Sequence, residues 1–184
     1  MNRRDALRNM SIFAGGIVLV PSCDFSKEDI LVAYDKLKVT PHLQELLTEI
    51  VDTIIPAGEI KGASDLEVHD FVLVMVNDCL NKDMQNSFMK GFNEFASFSK
   101  EYTGKNFKVL DREQREHVIN GGLKDNSEEK ADVRKFLYTT KELSIQGFLM
   151  SEYIQTEIKP YSLIPGDYQG EVLISSLKSE KINA

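Results

Sequence analysis

Apolar residues recur along most of this chain at the three- and four-residue steps of a helix surface. Leu43, Leu46, Leu47, Ile50, Val51 and Ile54 form the first such set, which reads as one buried helix face. Thr40 offers an N-cap oxygen and Pro41 a first-turn residue whose missing N–H costs nothing there. Pro56 stops this helix, because it cannot donate to the ladder and it disfavours helical angles at Ile55. Gly58 and Gly62 in the following loop read as positions that need backbone freedom. Ser64 or Asp65 is then expected to cap a second helix that turns Val68, Phe71, Val72, Met75, Val76, Cys79 and Leu80 inward. A third helix is predicted from about Asp83 to Tyr102, with Met84, Phe88, Phe92, Phe95, Phe98 and Tyr102 on its inner face and Gly104 at its end. Asp111 and Gln114 stand in capping-box register for a short fourth helix through Ile119, which Gly121-Gly122 is expected to close. Ser127 is expected to cap a long fifth helix bearing Val133, Phe136, Leu137, Thr140 and Leu143 and, past Gly147, Phe148 and Leu149. No stretch alternates with period two over a useful length, so the expected fold class is all-α: a single compact domain of about five helices.

The ends depart from this pattern. Residues 24–40 are polar and charged without sustained periodicity, so 23–40 is read as a tether and 41–184 as the helical domain. From Lys159 onward Pro160, Pro165, Gly166 and Gly170 break any helix, and the tail is expected to be extended and irregular, with Tyr161 and Tyr168 as groups to bury. Ile154 and the tail residues Leu163, Ile164, Val172, Leu173 and Ile174 fit two roles, filling a groove within the domain or docking another chain. At the front, Arg3 and Arg4 precede Leu7, Arg8 and an apolar run from Ile12 to Val20, and then comes Val20-Pro21-Ser22-Cys23. A paired arginine before a short, weakly apolar segment reads as a twin-arginine export signal. That run of nine residues, rising about 1.5 Å each, falls well short of a hydrocarbon core about 30 Å thick. Residues 1–22 are therefore expected to be removed, leaving Cys23 as a lipidated first residue that holds the chain at a membrane on the periplasmic side.

Charge narrows the partners. The chain carries −7, and a leader with three arginines against one aspartate leaves −9 on the remaining 162 residues of 184. With acidic residues spread throughout and no cluster of Lys and Arg, nucleic acid is not expected as a partner. Besides Cys23 the only cysteine is Cys79, expected to act as a small buried hydrophobe.

Candidate chemistry is sparse. His42, His69 and His117 are the only histidines, and none lies in a His-Glu-x-x-His or Glu-x-x-His set, so zinc-hydrolase and di-iron patterns are lacking. His69-Asp70 is the one pair that resembles a base with its orienting acid, and a capping or surface role is the plainer reading. His42 sits in a first turn and His117 beside Glu116 on a short helix. Phosphate-cradling glycine motifs and Cys-x-x-Cys-His haem attachment do not occur. The run Asp125-Asn126-Ser127-Glu128-Glu129 is explained by the preference of a helix start for negative charge. No catalytic, cofactor-binding or metal-binding residue is assigned to this chain.

Several segments together resemble subunit 3 of the gluconate 2-dehydrogenase family, the small gamma subunit of a bacterial membrane-bound sugar-acid dehydrogenase. They are Leu46-Leu47 leading through Asp52-Thr53-Ile54-Ile55-Pro56, Gly62-Ala63 with Val68 and Phe71, Gly147-Phe148 with Ser151-Glu152, and Pro165-Gly166-Asp167-Tyr168-Gln169-Gly170. The resemblance covers most of the chain after Cys23, and that family also shows a twin-arginine signal. It implies a non-catalytic partner of an FAD-bearing dehydrogenase of the glucose-methanol-choline type, with a haem c cytochrome subunit passing electrons toward quinone. FAD and haem c would then belong to those partners. The segments point to Pro56, Gly62, Ser151, Glu152, Pro165, Gly166 and Tyr168 as a partner interface. Two other readings stand beside this one. In the first, the chain is a stand-alone envelope lipoprotein that binds a small ligand or an envelope partner, with Phe88, Phe92 and Phe95 lining a pocket. In the second, it is an enzyme acting through His69 and Asp70.

Overall fold

The computed structural model describes residues 34–159 and Glu171, and within them the fold is all helical, with no strand. Five α-helices follow in order: α1 (Pro41–Ile54), α2 (Val68–Cys79), α3 (Lys82–Thr103), α4 (Arg112–Lys124) and α5 (Ala131–Met150). Short 3-10 turns at Ser64–Leu66 and Phe107–Val109 join them, and a π-helical turn, Ile154–Ile158, follows α5. The helix α5 touches each of the other four, most extensively α3.

Several starts and stops lie where the residues predict. The Thr40 side chain accepts from the Leu43 N–H, and Asp111 and Gln114 complete both halves of a capping box. Gly104 ends α3 at φ 76°, a left-handed angle that favours glycine. Along α3, Phe88, Phe92, Phe95 and Phe98 are buried as expected and converge on Phe136 of α5. Phe136 lies 4.8 Å from Phe92 in a stacked pair, 5.1 Å from Phe88 and 5.8 Å from Phe95. Offset and edge-on rings at such distances add roughly 0.5–1.5 kcal/mol per pair beyond area burial.

Other expectations are corrected. The glycines Gly121 and Gly122 do not close α4, which runs on to Lys124. They lie inside it because a Cβ at Gly121 would stand 2.5 Å from the Tyr102 hydroxyl, and one at Gly122 would stand 2.5 Å from Leu137. Gly91 likewise lets α3 meet the Asp132 carbonyl oxygen at the start of α5. Neither Ser64 nor Asp65 caps α2: the Ser64 hydroxyl donates to Asp52 at 2.6 Å, and Asp65 accepts the Gly62 N–H at 2.9 Å. The residue before α2 is Glu67, at φ 51° with no side-chain cap. Ser127 does not cap α5, which begins at Ala131, so the acidic run lies in the preceding loop. There Asp125 accepts from the Ser127 N–H at 2.8 Å, and the Ser127 hydroxyl together with this N–H holds its carboxyl below the usual range.

Met84 and Cys79 are exposed instead of buried. Gln85 takes the inward place beside Met84, 4% exposed, with its Nε2 within reach of the carbonyl oxygens of Asn77 at 2.8 Å, Leu80 at 3.1 Å and Val76 at 3.2 Å. It thereby satisfies the open end of α2. Leu80, partly buried, occupies the core side where Cys79 was expected.

The tether reading also changes. Tyr34, Leu37 and Val39 are 5%, 1% and 0% exposed, and they belong to the core. Asn77 on α2 holds this strap: its Oδ1 accepts the Lys36 N–H at 3.1 Å and its Nδ2 donates to Asp35 at 3.3 Å. The three apolar side chains are too few, and too irregularly spaced, to announce themselves as a periodic element. The leader and its residues Arg3, Arg4, Leu7 and Cys23 lie outside the described residues, as do Pro165, Gly166 and Tyr168 of the tail.

Candidate functional site

Four of the residues expected at an interface meet at one end of the bundle. Pro56 ends α1, and the loop then folds back, the Ala63 N–H donating to the Ile55 carbonyl at 2.8 Å and the Gly58 N–H to the Ile60 carbonyl at 3.0 Å. Gly62 sits where any Cβ would strike the backbone of Pro56 and Ala57, so it is required for close approach and not for an unusual angle. Fully buried Ala63 then anchors the loop in the core.

The end of α5 comes to this loop from the other side. Gly147 leaves no room for a side chain, since its Cβ would stand 2.5 Å from the Phe71 ring of α2. Beyond α5 the Ser151 hydroxyl donates to the Phe148 carbonyl at 2.7 Å and accepts the Ile154 N–H at 3.4 Å, which turns the chain into the π-helical turn. Ile154 is 3% exposed, so this residue fills a groove of its own domain. The result is a cleft of about 380 Å³ in which Lys61 and Leu66 face Ser151, Glu152 and Tyr153. The Lys61 ammonium lies 5.0 Å from the centre of the Tyr153 ring, a contact worth about 0.5–1 kcal/mol when exposed. Lys61, Leu66 and Tyr153 were not singled out from the sequence; Lys61 and Tyr153 had only their adjacency to Gly62 and Glu152 as a signal, and Leu66 had none. An ammonium, carboxylates and an aromatic face suit this cleft to docking.

The His69-Asp70 pair does not form a free base and its acid. His69 Nε2 stands 3.4 Å from Asp70 Oδ1, but that oxygen also accepts from the Tyr34 hydroxyl and from Gln44 Nε2, each at 2.8 Å. Asp70 therefore ties the strap to α1 and α2, and burial together with this bond pushes the Tyr34 phenol well above its ordinary range. His42 and His117 are both exposed, His117 beside the Tyr102 ring at 5.4 Å. Phe92 and Phe95 are 0% exposed and packed on Phe136 and Phe107, so these two rings are core, whereas Phe88 borders a hollow of about 360 Å³ with Leu80, Met84 and Ser87. Among the described residues no group of three His, Cys, Asp or Glu is placed to hold a metal ion, and no helix is long and apolar enough to cross a membrane.

The described residues thus form a helical domain with a cleft at one end. The family model described as gluconate 2-dehydrogenase subunit 3 matches residues 41–166, and the chain belongs to that family. The family is that of a subunit of a multi-subunit gluconate dehydrogenase, which makes this chain an accessory subunit of a dehydrogenase complex. No curated protein and no solved structure matches it.

Proposed function

We propose that this chain is the non-catalytic small subunit of a periplasmic, membrane-associated, FAD-dependent dehydrogenase of the glucose-methanol-choline type acting on a sugar or sugar acid. In this reading the twin arginines Arg3 and Arg4, with Leu7, carry the flavoprotein out of the cytoplasm already folded with its FAD. Lipid on Cys23 then anchors the complex, and a cytochrome subunit with haem c accepts the electrons. Membership of the family is the observation that carries the proposal.

Two features of the fold support a docking role. Pro56, Gly62, Ser151 and Glu152 share one end of the bundle with the Lys61–Tyr153 contact. On α5, Tyr138, Ile145 and Leu149 recur at seven and four residues and are 58%, 41% and 43% exposed. Contiguous exposed apolar side chains usually mark an interface. The companion reading, a lipoprotein with an aromatic ligand pocket, loses Phe92 and Phe95 to the core and keeps only Phe88 at the edge of a hollow.

Replacing Arg3-Arg4 by Lys-Lys tests the proposal. The flavoprotein and its dehydrogenase activity are expected to stay in the cytoplasm, and normal periplasmic activity in that variant overturns the export role. An Ile145→Glu, Leu149→Glu chain is expected to melt like the parent yet lose the flavin absorbance that co-purifies with it. Undiminished flavin recovery in that variant removes the α5 face from the interface.

A further inference from the structure

We infer that a second pocket, between α1, α4 and α5, binds a carboxylate carried on a short apolar stem. Ile54, Ile119 and Leu123 form its apolar floor, Arg112, Glu116 and Lys141 stand at its rim, and its volume is about 240 Å³. Some cations elsewhere meet carboxylates, Lys108 with Glu45 at 3.0 Å, Lys90 with Asp132 at 2.6 Å, Lys130 with Glu101 at 2.6 Å and Arg115 with Glu49 at 2.5 Å, while others, Lys82, Lys100 and Lys124 among them, stand on the surface away from any hollow with apolar walls.

Lys141 has no such partner among the described residues. Three and four residues away its own helix offers Tyr138, Leu137, Ser144 and Ile145, none of them acidic. The adjacent carboxylate, Glu142, acts on Tyr138, whose phenol it raises above its ordinary range. Arg112 gives its Nε to Glu116 at 3.0 Å, and its two terminal nitrogens have no hydrogen-bond partner among the described residues. The rim thus carries one net positive charge, on a chain whose net charge is −7. Glu116 repels a second carboxylate from the Arg112 side, so the ligand's carboxylate belongs against Lys141, with the free guanidinium nitrogens as second donors.

Size and lining set the stem. A pocket of about 240 Å³ falls below the roughly 300–1,000 Å³ that drug-sized ligands and cofactors occupy, and it holds one side-chain-sized group. A polyhydroxylated stem would need a partner for each hydroxyl. The Thr53 hydroxyl at the wall already donates to the Glu49 carbonyl at 2.7 Å and can only accept, and the Asn120 amide is the other neutral polar side chain beside the aliphatic floor. An alkyl stem matches that surface.

Hexanoate, hexanol and hexylamine titrated into the chain, followed by the backbone NMR signals of Asn120 and Lys141, test this. Hexanoate is expected to saturate those signals and to bind about tenfold more tightly than hexanol, the step that 1.4 kcal/mol of charge-assisted bonding represents. Lys141→Met, which keeps an apolar stem on an exposed side chain, is expected to cost hexanoate about tenfold and hexanol nothing. Equal binding of hexanoate and hexanol, no saturation, or an unaffected Lys141→Met variant overturns the proposal. A blocked peptide with one Glu between leucines then identifies the source. Competition between peptide and hexanoate points to a carboxylate borne on a polypeptide, and hexanoate binding without peptide binding points to a free short-chain acid.

Discussion

Replacing Leu37 by Ala separates a packed strap from a free tether. Leu37 is 1% exposed, so truncation withdraws a whole buried side chain from the core. Three carbons at about 0.8 kcal/mol each account for roughly 2.4 kcal/mol. The cavity left behind raises the cost, and measured Leu→Ala losses in cores run about 2–5 kcal/mol. We take about 3 kcal/mol, within that range, as the expectation. In urea, with a slope of about 2 kcal/mol per molar, the unfolding midpoint falls by about 1.5 M. Thermally the drop is about 6–12 °C for a domain of this size. Lys38, exposed between two buried neighbours, is the internal control: Lys38→Ala is expected to stay within about 0.5 kcal/mol of the parent. A Leu37→Ala chain that unfolds with Lys38→Ala, within that margin, refutes the placement of the strap in the core.

Three further outcomes follow from the packing. Gln85→Leu keeps the volume but leaves three carbonyls at the end of α2 without their donor, and a urea melt is expected to show a loss of about 1–3 kcal/mol. Gly91→Ala forces a methyl into the Asp132 carbonyl and is expected to cost about 1–3 kcal/mol. Gly58→Ala meets nothing within 4 Å and is expected to be neutral or to stabilise by about 0.4–1 kcal/mol in the same melt. For pH, the Tyr34 phenol is raised in the folded chain, so its contribution is full below the ordinary phenol value of about 10 and fades as pH rises beyond it. At the acid end the Lys90 and Ser87 bonds lower Asp132, so that contribution is present above the ordinary carboxyl value of about 3.9 and is lost as pH falls through the lowered one. Melts across pH are expected to show both declines, with the alkaline one reduced in Tyr34→Phe and the acid one in Ser87→Ala.

The helices were legible where a periodic apolar face coincided with a strong cap or breaker. Thr40 and Pro41 before α1, the capping box before α4 and Gly104 after α3 are cases in which one local interaction decides the boundary. Glycine was the main source of error. Read as punctuation, Gly121-Gly122 ends a helix; in the fold they lie within α4 because Tyr102, Phe98 and Leu137 press on that surface. Which meaning applies depends on residues of two neighbouring helices, and no local pattern encodes it. Ser64, Asp65 and Ser127 failed as caps for a related reason. Short polar side chains bond whatever backbone or hydroxyl lies nearest, and here Asp52, Gly62 and Asp125 were nearer than a helix start.

The proposed interface was grouped by a different route from the pocket. Nothing in the spacing of Pro56, Gly62, Ser151 and Glu152 brings residues so far apart in the chain together, and only the family likeness grouped them. Their convergence rests on two close approaches, Gly62 under Pro56 and Gly147 under Phe71, each of which a single methyl would break. Lys141 shows the opposite case. That no acid lies three or four residues from it can be read from the sequence, yet an unpaired lysine on a helix ordinarily means only a solvated surface. It gains meaning when α4 turns Arg112 toward the same hollow and Ile54, Ile119 and Leu123 close the floor. Two cations over an apolar surface repel each other and attract a carboxylate, whereas two cations in open solvent are screened. Raising the salt concentration therefore discriminates between the two. Hexanoate binding that weakens while hexanol binding holds steady places the selectivity in the Lys141 and Arg112 charges, and parallel behaviour of the two ligands places it in the floor alone.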